Sequence, residues 1–118
     1  MPKSTTRTYA GSLKEDDFLS AVIDAARLQG WTVAHFRSVQ TPTGWRTPVQ
    51  ADGTGFPDLV LVRHNRLIFA ELKTKTGRLS DAQIAWRELL LAVAGDSPHV
   101  QVEVWRPDDW DLILRDLH

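Results

Sequence analysis

Between Gly55 and Lys73 the chain reads G-F-P-D-L-V-L-V-R-H-N-R-L-I-F-A-E-L-K. Two runs rich in β-branched and other large apolar residues, Asp58 to Arg63 and Arg66 to Lys73, are separated only by His64-Asn65, the spacing of a hairpin with a two-residue turn. That turn sets the pairing. Arg63 faces Arg66, Val62 faces Leu67, Val60 faces Phe69, and Asp58 falls opposite Glu71 on one face of the ribbon. Lys73, two residues further on, shares that face.

Two carboxylates directly across a ladder lie roughly 5 Å apart and repel, at a cost of a few tenths to about 1 kcal/mol. A cation between them removes the conflict. Lys73 is one candidate. A divalent metal is another, because Mg²⁺ takes hard oxygen ligands at about 2.1 Å and is commonly held by one or two carboxylates together with substrate phosphate. The Leu72 backbone carbonyl supplies a natural third ligand. The same residues are also compatible with an ordinary hairpin whose edge charges are solvated, since a short D…ExK pattern occurs by chance.

On either side of the hairpin the periodicity switches to helix. Ser12 with Glu15 reads as a capping box opening a helix that Gly30 closes, and Leu19, Val22 and Ala26, flanked by Phe18 and Ala25, form its apolar stripe. Glu15 lies at the end of that stripe, so a carboxylate directed at the hairpin and a simple cap both fit. Trp31 to Arg37 alternates as a strand, with His35 suited to a packed position. Ser38 to Phe56 carries Pro42, Gly44, Pro48, Gly53 and Gly55 and reads as a loop far longer than the usual four to six residues. Within it, Trp45-Arg46 sets an aromatic beside a guanidinium, a pair that either stacks on bases and grips phosphate or pins the loop to the body.

After the hairpin, Thr74 to Arg78 is a basic polar turn. Ser80 and Gln83 then form a second capping box, and Gln83, Trp86, Leu90 and Ala94 make the stripe that should meet the sheet before Gly95 ends the helix. Val100 to Trp105 alternates as a further strand with Val100, Val102 and Val104 inward. Asp109 to Leu117 is a short helix whose leading aspartates suit the positive end of the helix dipole. The order is α-β-β-β-α-β-α: an α/β domain over residues 12–118, with a four-stranded mixed sheet flanked by helices and residues 1–11 as a flexible tail.

The 118 residues contain no cysteine, which excludes disulfides and thiolate-bound zinc. No apolar run reaches the length of a membrane span, and the opening residues lack a signal pattern, so a soluble cytoplasmic protein is expected. Net charge is −1, yet residues 31–90 hold eight Lys/Arg against five Asp/Glu, while 103–118 hold two against five. A locally positive middle is enough for an enzyme that binds and releases a polyanion.

Gly55-x-Pro57-Asp58, twelve residues, Glu71-x-Lys73, and Gln83 at the head of a helix resemble the PD-(D/E)XK nucleases, and more narrowly the virus-type replication-repair nuclease (VRR-NUC) domain. The similarity runs from about Leu13 through the helix after Trp105 and includes the Gly30-Trp31 step. It implies a restriction-endonuclease-like fold and Mg²⁺- or Mn²⁺-dependent hydrolysis of DNA phosphodiesters. Asp58, Glu71 and the Leu72 carbonyl would hold the metal, with Glu15 joining directly or through water. Lys73 would place the nucleophilic water or balance charge on the phosphorane, and Gln83 would orient Lys73 or the water. Arg37, Trp45, Arg46, Lys75 and Arg78 are the candidate DNA contacts.

Stand-alone members resemble junction resolvases of phages and bacteria, which implies a homodimer acting on Holliday junctions or other branched DNA. Two other readings fit the same chain: a non-catalytic nucleic-acid-binding domain on a nuclease scaffold, and a monomeric flap or nicking nuclease.

Overall fold

The computed structural model describes residues 15–36, 39–42, 44–46 and 50–118, with side chains for 16–36, 42 and 50–118. The expected tail and the Ser12 cap lie outside the described residues. In chain order the elements are α1 (Glu15–Leu28), β1 (Thr32–His35), β2 (Val39–Thr41), β3 (Gly44–Arg46), β4 (Leu59–Arg63), β5 (Arg66–Leu72), α2 (Asp81–Ala94), β6 (Val100–Trp105), a 3-10 turn at Pro107–Asp109, and α3 (Trp110–Leu117).

The main sheet has the order β1-β4-β5-β6. Its first two pairings are antiparallel and the β5–β6 pairing is parallel, which is why a whole helix, α2, intervenes between those two strands. The β4–β5 register is the one the two-residue turn dictates, from Arg63 opposite Arg66 to Leu59 opposite Ala70. His64 takes the positive φ of 54° that such a turn requires of a central residue.

The 38–56 stretch departs from its reading as plain loop. It carries a small antiparallel ribbon in which Val39 pairs with Arg46 and Thr41 with Gly44. Strands of three residues are too short to set up a recognisable alternation, so they leave no periodic signature.

Alternation along the strands divides the sheet into two faces. One face, carrying Leu59, Leu61, Ile68 and Ala70, is covered by Phe18, Val22 and Ala26 of α1 and by Trp110, Ile113 and Leu117 of α3, all buried together with Trp105. Each of the large side chains here is worth about 1.5–3 kcal/mol relative to exposure. The other face carries Asp58, Val60, Phe69, Glu71 and Val102 and is approached by α2. Val100, Val102 and Val104 do turn towards α2, but the deepest residue of β6 is Trp105, on the opposite face and 0% exposed.

Arg63 and Arg66, paired like charges at the hairpin tip, would repel if left alone. Both guanidinium groups instead stack on Trp31, at 4.7 and 5.0 Å from its rings. Arg63 Nη1 donates to the carbonyls of Gln29 and Leu117, and Arg66 donates to the Asp116 carbonyl and the Gln101 amide oxygen. Trp31 Nε1 also donates to Leu117 O, at 2.9 Å. The two arginines and the indole thus neutralise the negative end of α3 and close the hairpin onto the first helical layer.

Candidate active site

Asp58 sits one residue before β4 and Glu71 one residue before the end of β5, so extending the ladder beyond Leu59–Ala70 sets them opposite each other. The site is built by what happens at that edge. Leu72 N–H points towards β4 and donates to Asp58 Oδ2 at 2.9 Å. The next amide, on Lys73, points the other way and donates to Trp105 O at 3.0 Å. In an antiparallel ladder a residue's N–H and C=O lie on the same edge, so the Leu72 carbonyl also faces the β4 side. The position opposite it is Pro57, which has no N–H to give. Proline therefore ends the ladder where a carboxylate takes the amide and a carbonyl is left facing the site.

The approach to Pro57-Asp58 is equally constrained. Gly55 has φ +88°, and a Cβ there would lie 2.5 Å from the Ala82 carbonyl carbon, so only glycine lets the chain pass against the first turn of α2. Phe56 then packs edge-on against Phe36, Phe69 and Trp86, with ring centroids 5.5, 6.0 and 5.1 Å away. Trp86 Nε1 donates to Asp52 O at 2.9 Å, tying the end of the long connection to α2. Nothing in the hairpin pattern singles out Phe56 as a hub. An aromatic residue directly before Pro-Asp is the signal that could have done so.

Glu71 is 7% exposed, the one charged residue that is buried among those described. Its Oε2 accepts from Gln83 Nε2 at 2.9 Å and lies 3.9 Å from Lys73 Nζ. Its Oε1 is buried, and no N–H or O–H donor among the described residues reaches it while both carboxyls are ionised. Burial, the negative charge of Asp58 and a hydrogen bond shared with Asp58 push the Glu71 carboxyl up to about 8, with Lys73 pulling weakly the other way. A pair that cannot hold both charges unaided, with one carboxylate oxygen unsatisfied, matches the donor set a small hard cation takes.

Gln83 completes the expected capping box, and its side chain also reaches Glu71 rather than Lys73. Ser80 N–H donates to Gln83 Oε1 at 2.8 Å and Gln83 N–H donates to Ser80 Oγ at 3.1 Å, a complete capping box, while the other end of the same amide reaches Glu71.

Asp58, Glu71, Lys73 and Gln83 are thus brought together. Glu15 is the first residue of α1, but its side chain, like those of Trp45 and Arg46, lies outside the described atoms, and Arg37 lies outside the described residues altogether. Among the described residues no third His, Asp or Glu joins Asp58 and Glu71 as a ligand cluster. Lys75 and Arg78 sit on the exposed turn after β5, with Lys75 Nζ 3.6 Å from Asp108 Oδ2.

Arg106, which no motif indicates, braces this turn. Its Nη1 donates to the carbonyls of Thr74 and Gly77, each at 2.7 Å. It is visible only in three dimensions, because parallel pairing sets the end of β6 beside the end of β5.

No curated protein matches the chain. The model of the VRR-NUC domain matches residues 15–105, from α1 through the last residue of β6 and including all four assembled side chains. On that match and this geometry, the chain belongs to the VRR-NUC family and carries its nuclease-type domain.

Proposed function

We propose that the domain is a Mg²⁺- or Mn²⁺-dependent endonuclease that hydrolyses DNA phosphodiesters. The observation that carries this reading is the buried Glu71 carboxylate opposite Asp58, with one oxygen unsatisfied. Asp58, Glu71 and the Leu72 carbonyl are the ligands, with Glu15 as a further one, direct or through water. The bound metal supplies polarisation of the scissile phosphate and a lowered pKa for a bound water.

The chain's own contributions follow from the contacts around Glu71. Gln83 holds Oε2 and so fixes the carboxylate plane. Lys73, 20% exposed at its side chain, keeps a cation beside the reacting phosphate, where a fixed charge in a partly dry site is worth several kcal/mol to the transition state. Lys75, Arg78, Arg37 and Arg46 contact DNA phosphates, which position the duplex without reading its sequence, and Trp45 supplies a stacking surface.

The substrate proposed is branched DNA, such as a Holliday junction, cut by a symmetric homodimer in the cytoplasm. Two symmetric incisions need two active sites, which a two-fold dimer supplies. The outer side of α2 is the proposed self-interface, since Leu89 is 62% and Val93 85% exposed on a helix with few charges.

The test is a cleavage panel of linear, flapped and four-way DNA with Mg²⁺, Mn²⁺ or EDTA, paired with sedimentation at micromolar concentration. Metal-dependent cleavage of the junction by a dimer is the expected result. Undiminished cleavage in EDTA overturns the metal reading, and a strict monomer that prefers flaps replaces the resolvase with a flap nuclease.

A further inference from the structure

Beside the site just described lies a cleft of about 550 Å³, formed by the turn at residues 75–79, Ile84 of α2 and Arg106. It is a shallow depression open to solvent, not an enclosed pocket. It adjoins the reacting centre: a Cβ on Gly77 would stand 3.6 Å from Lys73 Cδ, so the stem of the proposed catalytic lysine runs along the turn that walls the cleft.

The turn is held from three directions. Gly77 N–H donates to Thr74 Oγ1 at 3.0 Å, and Arg106 clamps the carbonyls of Thr74 and Gly77. A Cβ at position 77 would meet Thr74 Oγ1 at 2.8 Å, so this close fold is suited to glycine. The turn that forms one wall of the cleft is therefore braced against Arg106.

Its lining is of two kinds. Lys75, Arg78 and Arg106 bring positive charge, while Leu79 and Ile84 bring an apolar wall, with Ile84 41% exposed. Phosphate contacts alone would account for the cations but leave the exposed apolar wall without a role. In duplex DNA the faces of a base are covered by its neighbours in the stack, whereas an unpaired nucleotide can lay its base face against a protein side chain while its phosphate meets a cation.

We propose that this cleft binds one unpaired nucleotide of the substrate strand next to the scissile phosphate, with the phosphate on Lys75 and Arg78 and the base against Leu79 and Ile84. Arg106 is a positioning residue that keeps the turn in place. Asp108, 3.6 Å from Lys75 Nζ, competes with the phosphate for that lysine and weakens binding until displaced. The consequence is selectivity for DNA whose strand can unpair at the cleavage point, as at the branch of a junction or the base of a flap. The identification of the substrate as DNA rests on the nuclease reading above, whereas the occupancy of the cleft is measurable without catalysis.

The test uses the full chain, isotope-labelled, in EDTA. It is titrated with a short oligothymidylate and with an abasic oligomer of equal length and equal charge, and binding is followed at the Gly77 amide and the Ile84 methyl signals. The oligothymidylate is expected to shift both and to bind roughly five- to tenfold tighter than the abasic oligomer.

Ile84→Asn is expected to abolish that preference, Arg78→Ala to weaken both ligands several-fold, and Asp108→Asn to strengthen both. The opposite signs of the last two exclude a general loss of structure. Equal affinity for the two oligomers, or shifts confined to residues around Asp58 and Glu71, would overturn the proposal. Binding as described in a protein that cleaves no DNA with any metal would instead sink the nuclease reading and leave the cleft standing.

Discussion

Gln83 and Glu71 are joined by a 2.9 Å hydrogen bond from the Gln83 amide nitrogen to the buried carboxylate, and the orientation of that amide is set by Ser80 N–H on its oxygen. Helix cap and proposed metal-binding carboxylate are therefore one hydrogen-bonded unit, and mutation of Gln83 probes both ends of it. Gln83→Glu keeps an acceptor for Ser80 and removes the donor to Glu71, adding a third carboxylate beside it. It should cut single-turnover cleavage by about tenfold or more, and the added like charge should lower thermal stability in EDTA, a loss that Mg²⁺ offsets. Gln83→Ala loses both bonds and should also cost about 0.5–2 kcal/mol in a denaturation experiment. Equal cleavage by Gln83→Glu and the parent would reduce the residue to a cap.

The burial of Glu71, with the charge of Asp58 opposite it, predicts a stability that runs against the usual carboxylate trend. Glu71 is pushed from an ordinary 4.5 to about 8, so between those values the folded protein binds more protons than the unfolded one. The stability contributed by its protonated form is complete below about pH 4.5 and is lost as pH rises through about 8. Thermal melts in EDTA should therefore fall across that window, and Mg²⁺ should reverse the fall, because the metal binds the deprotonated pair and releases a proton. A metal-free melting temperature that rises from pH 5 to about pH 8 would count against the buried pair.

Asp58→Asn tests the same pair from the other partner. The asparagine oxygen can still accept from Leu72 N–H, while the charge that opposes ionisation of Glu71 is gone. In EDTA at about pH 8 this variant should be as stable as the parent or up to about 1 kcal/mol more stable, yet it should lose metal binding and cleavage. Isothermal titration with Mn²⁺ and a cleavage time course decide the point.

Lys73→Met should slow the chemical step far more than it weakens DNA binding. One cation among several phosphate contacts matters little to affinity, whereas Lys73 lies 3.9 Å from the carboxylate at the centre of the site. Single-turnover rates compared with a binding titration separate the two. Matching losses in rate and affinity would make Lys73 a phosphate contact.

Arg63→Ala provides a control remote from the chemistry. It removes donors from the Gln29, Leu117 and His118 carbonyls and one of the two cations stacked on Trp31. About 1–3 kcal/mol of stability should be lost, with the cleavage rate unchanged below the new melting point.

The residues that carry the proposed chemistry were legible in the sequence because their relationship is local. A two-residue turn leaves the hairpin one register, and the period of a strand then sets Asp58 opposite Glu71 and puts Lys73 on the same face. The capping box at Ser80 and Gln83 is similarly a matter of three residues. The apolar stripe of α1 was legible in part: periodicity aligned Leu19, Val22 and Ala26 with Phe18 at their flank, whereas the structure buries Phe18 with Val22 and Ala26 and covers Leu19 only partly.

What only the tertiary structure decided is where distant segments meet. Trp31 receives two arginines from the hairpin and the end of α3. Phe56 gathers three rings, from β5, from α2 and from the residue that follows β1. Arg106 reaches the turn after β5 because β6 pairs parallel beside it. The reach of Gln83 into the site was also undecided by its cap, which orients the amide but does not say what lies in front of it. Local spacing constrains backbone dihedrals and side-chain faces, but the packing of one element on another depends on burial summed over the whole chain, and no short stretch contains that sum.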